Sequence, residues 1–556
     1  MLLRPFLIII LPVVFIPWLS CCHAPKQEKA KGFKEVTRDS GIDFMYNFGD
    51  LTYQNILESS GSGISILDYN QDGFMDVYML NGTFLEGISD GTGEHFRGSS
   101  NKLYHNNGDG TFREVSKHSG IDDRHWSMAA TPCDYDGDGD TDLYLTNYGP
   151  NIFYENNGDG TFRDITRASG LQGPDSLNGH VKWSVGAAFW DYNGDKKLDV
   201  MVANFLAFDP TYVSPGAPDE MPHPAEYMGQ ASMLYQQMSS GGFKEVTREA
   251  GLYFPDSKCM GLTVFDYDGD GDHDLFQGND HQANFLFRND NTGVFQQVAG
   301  EAGVTVNDEG DPTGSMHGTV GDVDGDGLPD LLVTDLKYGA LYRNTGKGIF
   351  TDITVKSGIA QYFSGKGEWA ATFLDYDNDG DMDIFSANGT AHILEAQLPL
   401  LLENDGMGNF RNSGPELSEY FNEKHSGRGA AVLDYDNDGH LDIIVSHLDG
   451  EGVPVLLRNE GNSNHWLGIE LQATKEDPTV IVGAKITLEM NDRTLVRYNI
   501  PGNAYLSHND PRVHVGLGSQ ELVEKLSVQW GDGTIETFEN LRADRYYKVI
   551  RGKGIE

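Results

Sequence analysis

A nine-residue frame, D-x-[DN]-x-D-x-x-x-D, occurs seven times in this 556-residue chain and constrains its fold more than any other feature. The first three copies place Asp68, Asn70, Asp72 and Asp76, then Asp134, Asp136, Asp138 and Asp142, then Asp191, Asn193, Asp195 and Asp199. The next two place Asp266, Asp268, Asp270 and Asp274, then Asp322, Asp324, Asp326 and Asp330. The last two place Asp375, Asp377, Asp379 and Asp383, then Asp434, Asp436, Asp438 and Asp442. Their first aspartates lie 53 to 75 residues apart, so the frame marks a structural repeat.

Each frame sits between two β-like runs, a small and apolar one such as Val185-Gly-Ala-Ala-Phe-Trp190 and a second such as Leu143-Tyr-Leu-Thr146. A third run, a glycine turn and a fourth run follow, as in Gly158-Asp-Gly-Thr-Phe-Arg-Asp-Ile165. Four short antiparallel strands per repeat predict a propeller blade. The fourth-strand Phe occurs at Phe33, Phe112, Phe162, Phe243, Phe295, Phe350 and Phe410, one repeat out of phase with the frames. Phe33-Lys-Glu-Val-Thr37 is therefore expected to complete the last blade, which closes the ring and leaves no open sheet edge. The expected fold is all-β: a seven-bladed β-propeller over residues 32–462 with Ca²⁺-binding loops, then a small β-sandwich-like domain over 463–556. That domain shows no aspartate frame but alternating runs such as Trp466-Leu-Gly-Ile-Glu-Leu471 and a Gly531-Asp-Gly533 hairpin turn.

Carboxylates at alternate positions of a tight turn converge on one point, as in the first half of an EF-hand loop, and an oxygen-only set selects a hard cation. Up to seven structural Ca²⁺ ions are expected, one per frame. The third loop should be the weakest, because Lys196 replaces the turn glycine and Lys197 follows it. The frames hold 29 of the 84 acidic residues, so much of the net charge of −44 is local metal chemistry. A field this negative excludes nucleic acid as a partner.

The repeats with their Gly-x-Phe strands resemble the FG-GAP/VCBS repeats of integrin-type propellers. The tail resembles the ASPIC/UnbV domain through Asn464-His-Trp-Leu467, Gly483-Ala-Lys485, Tyr505-Leu-Ser507, Gly516-Leu-Gly518 and Gln529-Trp-Gly-Asp-Gly533. Together they are similar to the cartilage acidic protein family and its bacterial relatives. That resemblance implies an architecture rather than a reaction, although the UnbV name is associated with enediyne biosynthesis.

Residues 1–22 read as an export signal, with one positive charge at Arg4 and an apolar run to Ser20. Leu19-Ser20-Cys21-Cys22 resembles a bacterial lipobox, with Cys21 the lipidated residue, and 23–31 reads as a tether. An ordinary signal peptide or an uncleaved anchor would export the chain equally. The expected location is the bacterial cell envelope, with membrane contact only through the N-terminal anchor.

Chain direction puts the frames on one face of the ring. The opposite face gathers the starts of the inner strands, where His125, Trp126, Lys182, Trp183, Lys258, His317, Trp369, His425 and Arg428 stand. The longest insertions, Leu80 to Ser100 and Phe205 to Ser232, share that face. Long loops on a rigid scaffold carry function, so a glycan or protein partner is expected there. The competing reading is that the tryptophans pack around the axis. No G-x-S-x-G, H-E-x-x-H or P-loop marks an enzyme. The alternatives are an enzyme acting on polysaccharide or a secondary metabolite at this face, or a scaffold subunit.

Overall fold

A computed structural model describes residues 32–556 apart from 219, 291, 308–309, 449–451, 492, 501 and 503. The leader, tether and Cys21 lie outside the described residues.

The repeat region forms seven four-stranded antiparallel sheets. Their innermost strands are Ile64–Leu67, Trp126–Cys133, Ser184–Trp190, Cys259–Phe265, Ser315–Gly321, Glu368–Leu374 and Gly427–Leu433. Each packs on the next, and the last packs on the first, so the sheets are the blades of a β-propeller. The seventh sheet takes its outer strand from the chain start: Phe33–Glu35 pairs with Val455–Asn459 in the register Phe33↔Asn459. This is the closure expected from the displaced phenylalanine.

A second closure was not visible in the sequence. The residue ending each third strand donates its side-chain amide to the carbonyl of the residue after the first aspartate of the preceding blade. The bonds run from Asn106 to Tyr435, Asn156 to Tyr69, Gln237 to Tyr135, Asn289 to Tyr192, Asn344 to Tyr267, Asn404 to Val323 and Asn459 to Tyr376, at 2.7–3.0 Å. All seven blade junctions are stapled in this way, the seventh-to-first included. Where the acceptor is Tyr, its ring usually lies against the fourth-strand Phe of the following blade, as in Tyr69–Phe162 at 6.3 Å and Tyr267–Phe350 at 6.2 Å.

Residues from His465 onward form two four-stranded sheets. One joins Val513–Gly518, His465–Gln472, Arg545–Ile550 and Gly554–Ile555; the other joins Thr494–Tyr498, Lys485–Glu489, Leu522–Gln529 and Ile535–Arg542. They share a core of Leu467, Ile486, Leu488, Val515, Leu526 and Trp530, which makes a β-sandwich.

This sandwich sits on the frame-bearing face. Its segment around Tyr505 to Arg512 enters the central channel, where His508 exchanges backbone hydrogen bonds with Ile64 at 2.9 Å and Ile66 at 3.0 Å. Tyr505 is fully buried and donates to the Ser60 carbonyl at 3.1 Å. Gly63 admits the segment, because a Cβ there would overlap the Leu506 carbonyl. The channel is thus plugged by the chain itself. A cavity of about 640 Å³ remains between channel and sandwich, lined in part by Thr131, Thr319, Thr372 and Gln472.

Candidate metal loops and the opposite face

The frames form the turns between first and second strands. The carboxylate at position one accepts the backbone N–H of position six: 3.0 Å for Asp134 and Gly139, 2.9 Å for Asp322 and Gly327, 2.7 Å for Asp191 and Lys196. Position six needs positive φ, which glycine adopts without penalty; Gly139 has φ 95° and Gly380 99°. Lys196 adopts φ 63° and keeps the turn, so the third loop has its expected shape despite the substitution.

In five of the loops three carboxylates bring one oxygen each within 4.8 Å of the others. They are Asp134, Asp136 and Asp142; Asp191, Asp195 and Asp199; Asp266, Asp268 and Asp274; Asp322, Asp324 and Asp330; and Asp375, Asp377 and Asp383. Burial pushes Asp134, Asp266 and Asp322 up to about 6, and Asp142, Asp199 and Asp330 up to about 8. The donors fit a hard cation. Asp322, Asp324, Asp375 and Asp436 each keep one buried Oδ1 without a hydrogen-bond partner, and a carboxylate oxygen left so is costly unless a cation faces it. A bound ion would supply positive charge to ligands that otherwise repel.

The ninth residue also has a structural role. In the first loop Asp76 accepts from Tyr69 N at 3.2 Å and from Asn106 N at 2.7 Å, and the same pair of bonds recurs in every blade. It therefore ties the loop to the third strand as well as standing beside the other carboxylates.

The loops are not equally open. Asp375 and Asp434 are 1% and 0% exposed beneath the sandwich, whereas Asp68, Asp134, Asp191 and Asp266 are partly exposed. In the third loop Lys197 pairs with Asp195 at 3.1 Å, and Lys196 reaches Asp477 of the sandwich at 2.9 Å.

On the opposite face the tryptophans follow the packing reading. Trp126, Trp183 and Trp369 are only 1%, 0% and 2% exposed, so they are packing groups, not platforms open to a glycan. Six of the inner strands carry a bulge near their start that turns this end into the crowded axis. Trp369 lies at its bulge, donates to Gly389 O at 2.9 Å, and is flanked by the Arg428 guanidinium at 4.1 Å and the Tyr505 ring at 5.3 Å. Trp183 packs against Phe205 at 5.1 Å.

The cations are likewise internal. Arg428 is fully buried and donates to the Ser59, Gly427 and Thr390 carbonyls at 2.6–2.9 Å. Lys182 donates to Ser184 Oγ at 3.2 Å, and burial pushes its ammonium down to about 7. Lys258 donates to the Pro224 carbonyl at 3.0 Å. Burial pushes His317 down to about 4. His425 stacks on both Tyr420 and His447, with ring centres at 4.6 and 4.8 Å, and those two rings meet at 6.0 Å. Of the nine candidates, His125 alone is exposed, held to Asp123 at 2.8 Å. At the ends of second strands, Asn147 and Asn204 cap turns, donating to Pro150 O and Ala231 O at 2.7 Å.

What does gather on this face is a histidine group that the inner-strand residues did not reveal. His223 lies 4.1 Å from His281 and 4.9 Å from His392, ring centre to centre. All three stand on connections between second and third strands, of blades three, four and six. His223 belongs to the long insertion singled out above; nothing local in the sequence links it to the other two. His281 Nε2, His392 Nδ1 and Asp280 Oδ1 are buried without hydrogen-bond partners.

Comparison with known proteins agrees with this architecture. The family described as FG-GAP-like repeat matches residues 68–145, 134–202, 266–333 and 322–386, and the family described as ASPIC and UnbV matches 474–556. Cartilage acidic protein 1 of Mus musculus is 26% identical over 444 residues, covering 73% of this chain and 62% of the relative. The Homo sapiens protein is 27% identical, with 73% and 60% covered. The chain thus spans less than two thirds of the length of these relatives. Among solved structures, an Agrocybe aegerita lectin that recognises terminal N-acetylglucosamine is 16% identical with a TM-score of 0.36, covering 65% of this chain and 88% of the lectin. The Dos1 propeller is 10% identical with a TM-score of 0.36, covering 78% and 96%. This protein is an FG-GAP-repeat propeller with a C-terminal ASPIC and UnbV domain.

Proposed function

We propose that this protein is an exported, calcium-loaded binding protein of the bacterial cell envelope, tethered through Cys21, whose partner docks on the face opposite the calcium loops. The supporting observation is an asymmetry of access. The frame-bearing face lies under the sandwich and the channel is plugged from that side, so the insertion-bearing face is left for a partner. Val213, Met228, Ile393, Leu394, Leu398 and Val453 are 37–60% exposed on its connections, which favours a protein partner over a glycan. Ca²⁺ fills the frames, and the third loop binds it least tightly because the Lys197 ammonium already pairs with Asp195.

Crosslinking in intact cells tests the docking face. Met228→Glu with Ile393→Glu is expected to abolish a partner adduct that Met407→Glu, on a third-to-fourth-strand turn, retains. Equal adducts from both variants would overturn the reading, and retention on a glycan array alone would replace the protein partner by a glycan. A second reading, an enzyme at this face, is favoured by the histidine group. It requires a turnover that His281→Gln abolishes without changing the melting temperature.

A further inference from the structure

Loops six and seven differ from the others in that the sandwich donates to their position-one carboxylates; at loop five it reaches only the backbone, where Lys485 and Tyr498 donate to the Gly327 carbonyl at 2.9 and 2.7 Å. At loops six and seven the sandwich hydrogen-bonds to the ligand carboxylates and to the backbone. Asp375 Oδ2 accepts from Gly380 N within its own loop at 3.0 Å and from Gly516 N of the sandwich at 2.9 Å. Its Oδ1 keeps no partner and is buried. Asp434 Oδ2 accepts from Gly439 N at 2.9 Å and from the Tyr546 hydroxyl. Arg512 donates to the Asp434 carbonyl at 2.9 Å and to Asn437 Oδ1 at 2.6 Å. Arg497 donates to the Gly380 carbonyl at 2.8 Å, and Arg493 to the Asp379 carbonyl at 2.6 Å. Gly516 leaves room for this approach, since a Cβ there would overlap Asn378 and the Asp375 carboxylate.

We infer that loops six and seven are occluded calcium sites whose loading is coupled to docking of the C-terminal domain. This rests on the calcium reading of the frames. Groups that orient a metal ligand from outside raise its affinity and slow release of the ion. Here those groups belong to another domain, so an ion leaves either loop only when Gly516 and Tyr546 lift away. The same movement pulls on the channel plug, because the strand Val513–Gly518 follows directly from the plug segment. Coupling is reciprocal: whatever favours docking raises affinity at these loops, and an ion bound there favours docking. The loops with partly exposed first aspartates, one to four, need no such movement.

Stopped-flow mixing of the calcium-loaded protein with the indicator-chelator Quin-2 reads this directly. The expected trace has a fast phase from the open loops and a phase at least ~10-fold slower from the occluded ones. In Tyr546→Phe and in Arg512→Gln the slow phase should accelerate by about tenfold or merge with the fast one. Melting in saturating Ca²⁺ confirms that each variant is folded, and Lys525→Ala on a distant strand of the sandwich should leave both phases unchanged. A single fast phase in the unaltered protein, or a slow phase untouched by both variants, overturns the coupling. Absence of any calcium release would instead overturn the calcium reading itself.

Discussion

The two faces of the propeller are built from the same seven repeats and solve opposite problems. The frame-bearing face concentrates like charge, and every device around it manages that charge: converging oxygens for a cation, backbone amides on Asp134 and Asp375, and a second domain laid across it. The opposite face has buried its cations against carbonyls that solvate them, as with Arg428, and shows the solvent apolar side chains and half-buried histidines instead. Conspicuous residue types therefore lie at the surface loops on one face and inside the axis on the other. Aspartates in a turn act where they stand, whereas a tryptophan beside a crowded axis is drawn into it.

The two faces are joined by the plug, and removing its anchor is the largest perturbation available by substitution. Tyr505→Ala deletes a fully buried ring between Trp369 and the Ser60 carbonyl and should cost about 3–5 kcal/mol in denaturant unfolding. A loss below about 1 kcal/mol would mean that the sandwich does not hold the channel. Next in size are the blade staples. Asn344→Ala removes the amide that bridges to Tyr267 O and leaves that carbonyl buried, at about 1–3 kcal/mol. An equal substitution at exposed Asn409 should cost under ~0.5 kcal/mol.

A smaller and graded effect separates the faces by pH. In chelator, the raised carboxylates, with Asp134 and Asp266 near 6 and Asp142 and Asp199 near 8, bind more protons in the folded than in the unfolded chain. Stability without calcium should therefore rise as pH falls from about 8 toward about 5, where the unfolded aspartates still ionise near ~4. With calcium bound the slope should reverse, since protons compete with the ion for the same oxygens. Melting curves at several pH values, with and without calcium, check both signs.

Much of this is legible in the sequence. The frames, the displaced Phe33 and the strand alternation each report a local rule, and local rules repeated seven times accumulate into a topology. The features that escaped are long-range. Nothing near Asn106 says that its amide meets Tyr435 across the chain closure, and nothing near Tyr505 says that it enters a channel made by inner strands more than 70 residues away. His281 and His392 are likewise unremarkable until the ring brings their connections to His223.

Thermal unfolding with and without calcium tests the account most directly. Each ion at 100 times its dissociation constant contributes about 2.7 kcal/mol, so filling several loops is a large term. Chelation should lower the melting temperature by at least about 10 °C, and added Ca²⁺, but not Mg²⁺ at equal concentration, should restore it. An unchanged melting temperature on chelation would contradict the assignment of the aspartate frames as calcium loops.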